Sequence, residues 1–251
     1  MPIRTITAGA LLALAASPCL SRESYPAIDE IEWSYGEDER FDTGRPSFRF
    51  SRDGTTSSFD GTEAAEFVGE RVTASLASPG EAVSFTVQRE AGTIACSGTV
   101  VAVGKASGTC RFDPDQGFIA QLQAHDLTPE DSEELFVLAL VDARVASVDG
   151  LSREGFVIGE VDTVVALAAL EVTPEFARSL KSAGLAIDDT DNLIAAKAVG
   201  VDPAWLQGMA EAGYTGLDAD RAIQMRALDI TPDYARKMSR VMAALEGIET
   251  E

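Results

Sequence analysis

The chain has a single histidine, His125, and this limits its capacity for acid–base or zinc chemistry. No cluster of histidine, cysteine and carboxylate side chains has the spacing of a zinc site. A serine triad would have to use His125, but no serine lies in a strand–turn–helix nucleophile elbow. We therefore predict that His125 is a partly exposed residue near a helix end, not a catalytic base.

Carboxylates are the other groups that could do chemistry. Two acids facing each other across a cleft hydrolyse glycosidic bonds, but the spacing of the acids singles out no pair. The acidic run at 188–192 suggests calcium, yet it lacks the glycine and distal glutamate of an EF-hand loop. Helix capping by Asp189 is the preferred interpretation. There is also no glycine loop of the phosphate-binding type. We predict no catalytic residue, no metal ligand and no cofactor.

Cys96 and Cys110 lie in a glycine-bearing segment that predicts a β-hairpin with its turn near Gly104. Pairing about that turn places the two cysteines opposite each other. If a leader containing Cys19 is removed, they are the even pair that remains, and an oxidising compartment favours a disulfide. A metal site and two buried free thiols are the alternatives.

Residues 1–21 have the features of a secretory signal peptide. Arg4 supplies the charged start, and a short apolar run follows before Pro18. Cleavage after Ser21 is preferred and cleavage after Ala15 is the alternative. Pro18 stands where a lipoprotein signal has a small residue, so we predict no lipid anchor. The expected location is bacterial, either periplasmic or secreted.

The elements that position these groups repeat along the second half of the chain, every 29 residues. Thr173, Asp202 and Thr231 each predict an N-cap whose side chain accepts a free amide of the first turn. A proline, an aromatic residue and a closing glycine follow at fixed distances. A period of this length is typical of stacked repeat arrays. The repeat framework consists of Pro174, Phe176, Gly184, Pro203, Trp205, Gly213, Pro232 and Tyr234.

Each repeat predicts two short helices, the first of about eleven residues. The second begins at Asp131, Glu160, Asp189 and Asp218, again 29 apart. One such hairpin cannot bury its own apolar face, so we expect the aromatic position to form the core between neighbouring repeats. Ser147 occupies that position in the second copy, which is therefore degenerate. We count about four and a half repeats between residues 114 and 242.

Before the repeats, apolar and polar residues alternate along the sequence, which is the pattern of β-strands. Residues 47–51, 71–76, 83–88, 93–96 and 108–112 read as half-buried strands separated by glycine-bearing turns. The best helical candidate in this region is 62–67. The join at Asp113 leaves too little loop for a flexible linker, so the sheet is expected to cover the first helical repeat.

The predicted fold class is α+β, a small antiparallel β domain followed by an α-helical-hairpin solenoid of 29-residue repeats. The domains are a signal peptide at 1–21, a β-rich domain with the hairpin disulfide at 22–113, the solenoid at 114–242 and a C-terminal tail at 243–251. The formal net charge of −21 argues against a nucleic-acid partner. No apolar stretch is long enough for a membrane span.

The segments VTPEFARSLKSAGL and DADRAIQMRALDITPDY resemble repeats found in many bacterial envelope proteins. These include the extracytoplasmic tails of antirepressor metallopeptidases of the BlaR type. The segment REAGT, its glycine-rich hairpin and FDPDQGF are similar to the strand-rich unit that precedes such arrays. The resemblance covers roughly residues 83–242 and implies an envelope location and a scaffold. The peptidase motif HExxH is absent, so no catalytic residue is carried over.

We therefore expect a non-enzymatic periplasmic or secreted scaffold or sensor module, with a protein or peptide partner in the cell envelope. The alternatives are an envelope-polymer hydrolase that uses an Asp/Glu pair and a purely structural envelope protein. In repeat arrays, exposed positions on a constant framework form the binding surface. The candidate binding surface consists of Arg178, Lys181, Gln207, Glu211, Arg236 and Lys237.

Overall fold

A computed structural model describes residues 25–37, 46–52, 54–59 and 76–248 of the chain. The predicted signal peptide, the predicted helix at 62–67 and nearly all of the predicted strand at 71–76 lie outside the described residues. In the described part, strands come first and helices follow, which confirms the predicted α+β class.

The strands form one six-stranded antiparallel sheet in the order β3-β2-β1-β6-β5-β4. The predicted strands at 47–51, 83–88, 93–96 and 108–112 all fall within observed ones. Two three-stranded meanders are therefore joined where β1 pairs with β6. The strands are β1 Ile28–Glu37, β2 Pro46–Arg52, β3 Thr55–Phe59, β4 Ala82–Arg89, β5 Gly92–Ala102 and β6 Lys105–Pro114.

The sheet curls strongly around an aromatic cluster. The ring of Phe48 on β2 stacks on Trp33 of β1 and meets Phe85 of β4 edge to face, with centroids 5.6 Å apart in the second pair. In a flat sheet, β2 and β4 would be about 19 Å apart, because three strands separate them. The curl gives the small domain an apolar concave face.

Two facing glycines let Trp33 lie across the middle of the sheet. Trp33 pairs with Gly108, and Gly108 pairs with Gly98 on the next strand. A Cβ on Gly98 would come within 2.7 Å of the indole ring. The indole nitrogen instead reaches over both glycines and donates a hydrogen bond to the carbonyl oxygen of Ser97, 3.1 Å away.

Cys96 and Cys110 are cross-strand neighbours on β5 and β6, and their Cα atoms are 4.0 Å apart. Both are buried. Their sulfur atoms are bonded in the structure, as the hairpin register predicts. The disulfide therefore ties together the two strands on which the first helices rest.

Helices occupy the rest of the described chain, and their starts recur at the predicted interval. The first helices of the successive repeats, called the first series, begin at residues 116, 145, 174, 203 and 232. The second helices, called the second series, begin at 132, 161, 190 and 219. The helices are α1 Gln116–Gln123, α2 Ser132–Leu140, α3 Val145–Arg153, α4 Val161–Ala169, α5 Pro174–Ser182, α6 Thr190–Val199, α7 Pro203–Glu211, α8 Ala219–Ala227 and α9 Pro232–Ile248.

The ends of the helices follow the sequence signals closely. Thr173, Asp202 and Thr231 each accept a hydrogen bond from the amide three residues on, as predicted for N-caps. Asp189 does the same at α6, which is the capping role preferred over calcium. Residues with left-handed backbone angles follow the helix ends, and within each series they recur every 29 positions. Gly184 is one of them in the first series. The first-series helices α1, α3, α5 and α7 have eight or nine residues, fewer than the predicted eleven.

Contacts between helices join elements one repeat apart. In the first series, α1 meets α3, α3 meets α5 and α7 meets α9; in the second, α2 meets α4 and α6 meets α8. Hydrogen bonds add to this packing: Thr190 donates to the carbonyl oxygen of Val157, 2.7 Å away, and Ser239 donates to that of Ala212, 3.0 Å away. These contacts and hydrogen bonds link helices that begin one 29-residue interval apart.

The sheet covers the first end of the helical region. Phe136 of α2 inserts between Phe50 and Phe112 on the concave face, with centroids 5.7 Å and 5.4 Å away. Polar contacts reinforce the join, since Ser132 donates a hydrogen bond to the carbonyl oxygen of Pro26. Glu90 also accepts one from the first amide of α3. The predicted absence of a flexible linker agrees with this packing.

The last repeat departs from expectation in two ways. Tyr234, at the aromatic position predicted to be core, is exposed, and so is Met238, because no described element lies against that face of α9. The same helix also continues to Ile248, past the predicted end of the array at Met242. The segment predicted as a tail from residue 243 is thus largely helical.

Candidate functional site

A groove of about 750 Å³ runs between the sheet and the first helical repeats. Its floor is apolar and comes from α3, α4 and the turn after α4, where Leu151, Leu167 and Val172 are buried. Phe176 of α5 forms one side. Apolar floors with a few polar groups at the edge are typical of ligand sites in proteins.

Three basic side chains line this groove. Arg89 of β4 and Arg144 lie beside Asp142, and Lys197 of α6 lies beside Phe176. Asp142 is between the two arginines, 3.5 Å from Arg89 and 2.6 Å from Arg144. Its hydrogen bond and charge raise the pKa of Arg144 above its ordinary value. Arg144, like other arginines, is a cation at physiological pH.

Lys197 has a different environment. Its ammonium group lies 5.1 Å from the centroid of the Phe176 ring, in the geometry of a cation–π contact. With Glu171 as the other acid, the groove lining holds three basic and two acidic side chains. The groove is therefore net positive within a chain of net charge −21.

The position of the groove has a cause in the repeat pattern. Ser147 lines it and takes the place that Phe176 and Trp205 hold in the next two repeats. In the later repeat, the indole of Trp205 reaches the carbonyl oxygen of Ile230, which starts the following unit. The residue equivalent to Ile230 beside Ser147 is Val172, which lines the groove. The groove thus contains the space that an aromatic side chain at 147 would enter.

This site was missed by sequence reasoning, although the signal was present. The degenerate aromatic position at Ser147 marks the repeat in which the inter-repeat core is incomplete. Ala168 is a second such signal, because it stands where the next repeat has Lys197. A small residue there leaves the floor open.

None of the six predicted binding-surface residues lines the groove. Arg178 pairs with Glu154 of the preceding repeat at 2.9 Å, and Lys181 bonds to the carbonyl oxygen of the same residue. These two join repeats together. The remaining four lie on the first-series helices: Gln207 and Glu211 bond to each other, Arg236 pairs with Asp233, and Lys237 is exposed.

The groups considered for catalysis lie elsewhere. His125 is partly exposed after the end of α1, as predicted, and its Nε2 is 2.9 Å from Asp149. Glu134 sits in the first turn of α2, where burial raises the pKa of its carboxyl group. It accepts a hydrogen bond from the amide of Glu130, 2.6 Å away, so it acts as part of a helix cap. Neither residue lines the groove.

No group of three or more histidine, cysteine, aspartate or glutamate side chains among the described residues is arranged to hold a metal ion. Every helix in this part of the chain is too short or too polar to cross a membrane.

Comparison with protein-family models, with curated proteins and with solved structures gave no match. The resemblance to the extracytoplasmic tails of antirepressor metallopeptidases therefore stays a prediction.

Proposed function

We propose that the protein is a non-enzymatic periplasmic or secreted scaffold that binds a peptide segment of a protein partner. Residues 114–242 form an α-helical-hairpin solenoid, and the sheet covers its first end. The repeat interval of the helix starts and the contacts between helices one repeat apart support this architecture. The disulfide between Cys96 and Cys110 supports an oxidising location.

The groove carries the functional proposal. An apolar floor accepts an apolar side chain, and the basic edge provided by Arg144 and Lys197 accepts a carboxylate. Because the chain is strongly acidic overall, most of its surface repels an acidic peptide, and the net-positive groove attracts one. The ligand is therefore a peptide in which an acidic residue, or the C-terminal carboxylate, neighbours an apolar one.

A non-enzymatic role fits the placement of the acids. Asp131, Asp189, Asp202 and Asp218 cap helices. Glu134, whose pKa is raised, belongs to a cap as well. A hydrolase of the alternative kind requires two acids facing each other across a cleft, and Asp142, one of the two acids in the groove lining, is already paired with arginines.

The test is selection of a random-peptide display library on the mature chain, followed by fluorescence anisotropy with the recovered peptides. We expect peptides with an acidic residue beside an apolar one. Ser147→Trp should weaken binding more than about tenfold, because the indole enters the groove. That variant restores the pattern of the neighbouring repeats, so it is expected to fold.

Charge variants separate the groove from the surface predicted on the first-series helices. Lys197→Glu should also weaken binding, whereas Lys237→Glu makes the same charge change on α9 and should leave it unchanged. Binding that survives Ser147→Trp and Lys197→Glu but is lost in Lys237→Glu would move the site to the predicted surface. A failure to enrich any peptide would contradict the proposal itself.

A further inference from the structure

The free face of the last repeat carries a row of exposed apolar side chains. Tyr234 is 53% exposed, Met238 38% and Val241 52%. One repeat earlier, their equivalents are Trp205, Met209 and Ala212, which are 6%, 0% and 5% exposed. Those residues are covered by the unit that follows them. The unit that begins at Pro232 therefore presents the same kind of interface, and no element among the described residues covers it.

The spacing on α9 indicates what fits this face. Tyr234, Met238 and Val241 follow one another at intervals of four and three residues, and the sequence continues this spacing with Leu245 and Ile248. An apolar row with alternating intervals of four and three is the pattern by which two helices pack side by side along their length. The partner surface is consequently a helix with a similar apolar row.

We propose that a second copy of this chain covers the face, so that two α9 helices pack against each other in a two-fold symmetric dimer. The other end of the helical region is closed, because Phe136 is buried between Phe50 and Phe112 of the sheet. Head-to-tail growth is therefore blocked. A surface that can pair only with the same surface on a second copy forms a closed dimer with two-fold symmetry.

Charge supports the same choice. Residues 219–251 contain five basic and six acidic side chains, so this end is close to neutral although the chain as a whole is at −21. Two copies repel each other least when they meet through these ends. A parallel pair would set Lys237 and Arg240 beside their own copies, so the two helices run antiparallel. Val241, at the middle of the apolar row, then lies near the two-fold axis.

Sedimentation velocity over a range of concentrations, with the mature chain, tests the dimer. We expect a concentration-dependent shift from monomer to dimer in the unchanged protein. Tyr234→Asp and Met238→Glu should each raise the dimer dissociation constant more than about tenfold, since each places an unpaired charge in the contact. Val157→Asp is the matched control, because Val157 is 81% exposed but lies on the second repeat. It should leave the dissociation constant unchanged.

Single cysteine substitutions test the arrangement of the helices. Val241→Cys should crosslink to its own copy under mild oxidation. Tyr234→Cys should not, since two such residues in an antiparallel pair are separated by about 21 Å along the helices. A monomer at every concentration would overturn the proposal, as would a dimer that tolerates both charge substitutions. Crosslinking of Tyr234→Cys but not of Val241→Cys would also refute it. Peptide binding in the groove is measured separately, so it can hold or fail on its own.

Discussion

The indole nitrogen of Trp205 donates a hydrogen bond to the carbonyl oxygen of Ile230, 3.0 Å away and one repeat further along the chain. Trp205 is also 6% exposed, whereas Tyr234, at the same position of the next repeat, is 53% exposed. The same framework position is therefore a core residue in one repeat and a surface residue in the next. The difference arises because the α9 unit covers Trp205, whereas no element among the described residues covers Tyr234.

Trp205→Ala should consequently lower the free energy of unfolding by about 3–5 kcal/mol, as for a large aromatic removed from a core. Tyr234→Ala should lower it by less than about 1 kcal/mol, because most of that side chain is in water. Trp205→Phe keeps the packing and loses the hydrogen bond, at a cost of about 1 kcal/mol. Urea unfolding at low protein concentration measures all three. Equal losses at 205 and 234 would contradict the explanation.

Two glycines of the first-series helices are needed where a proline of the next repeat packs against them. A Cβ on Gly208 would lie 2.7 Å from Cγ of Pro232, and one on Gly150 would overlap Pro174 in the same way. Gly150→Ala and Gly208→Ala should each destabilise the protein by about 1–3 kcal/mol through overpacking. Thermal or urea unfolding provides the measurement.

Gly159→Ala is the control for these substitutions. A Cβ at Gly159 would meet nothing within 4 Å, and its backbone is not left-handed. This change should be neutral or stabilising by up to about 1 kcal/mol, because it reduces the freedom of the unfolded chain. Should all three variants behave alike, the close approach of the repeats at the two prolines would be wrong.

The sequence predicts the helical part well because the signals there are local. A cap such as Asp202 bonds an amide three residues away, and Gly213 closes a helix through its own backbone angle. Both depend only on near neighbours, so they can be identified in one copy and checked in the next. The register of Cys96 and Cys110 is predictable for the same reason, since one short turn sets it.

The sheet order and the groove are not predictable in this way. The pairing of β1 with β6 joins Trp33 to Gly108 across most of the domain, and no local pattern specifies it. The groove depends on the side chain that Ser147 does not have, together with Arg89 brought in from the sheet. The sequence shows that an aromatic residue is missing from this repeat, but the groove that results becomes visible only when the neighbouring elements are packed around it.

Glu134 offers a test that uses pH. Burial is the main cause that raises the pKa of its carboxyl group, and the charges of Asp162, Glu130 and Asp131 add to it. A carboxyl group whose pKa is raised by folding stabilises the protein when protonated, and that contribution is lost as pH rises through the folded-state pKa. Glu134→Gln stays neutral at every pH and can still accept the hydrogen bond from Glu130.

The variant should therefore be more stable than the unchanged protein at pH 7, with the difference shrinking as the pH falls toward the range in which Glu134 is protonated. Urea unfolding at a series of pH values measures this difference. Because burial is the largest cause, we expect most of the difference to persist in 1 M salt, where exposed charges are strongly screened. A difference that vanishes in salt would assign the shift to the neighbouring acids instead.

Removal of the disulfide should weaken the sheet on which the helices rest. Cys96 and Cys110 are 14 residues apart, and in the chain-entropy model a loop of about that length contributes roughly 3 kcal/mol. Cys96→Ala with Cys110→Ala should lower the free energy of unfolding by about this amount, and reductant should do the same to the unchanged protein. Urea unfolding with and without reductant gives both numbers.

Intact mass of the secreted protein tests the same bond together with the predicted leader. A chain that starts at Arg22 lacks Cys19, so reduction should add the mass of two hydrogen atoms and alkylation should then label two thiols. The double alanine variant is the control, and neither treatment should change its mass. A mature chain that still contains Cys19 would label a third thiol and would place the cleavage earlier than Ser21. An unchanged mass on reduction would mean that Cys96 and Cys110 remain free, and the stability difference would then have to come from packing alone.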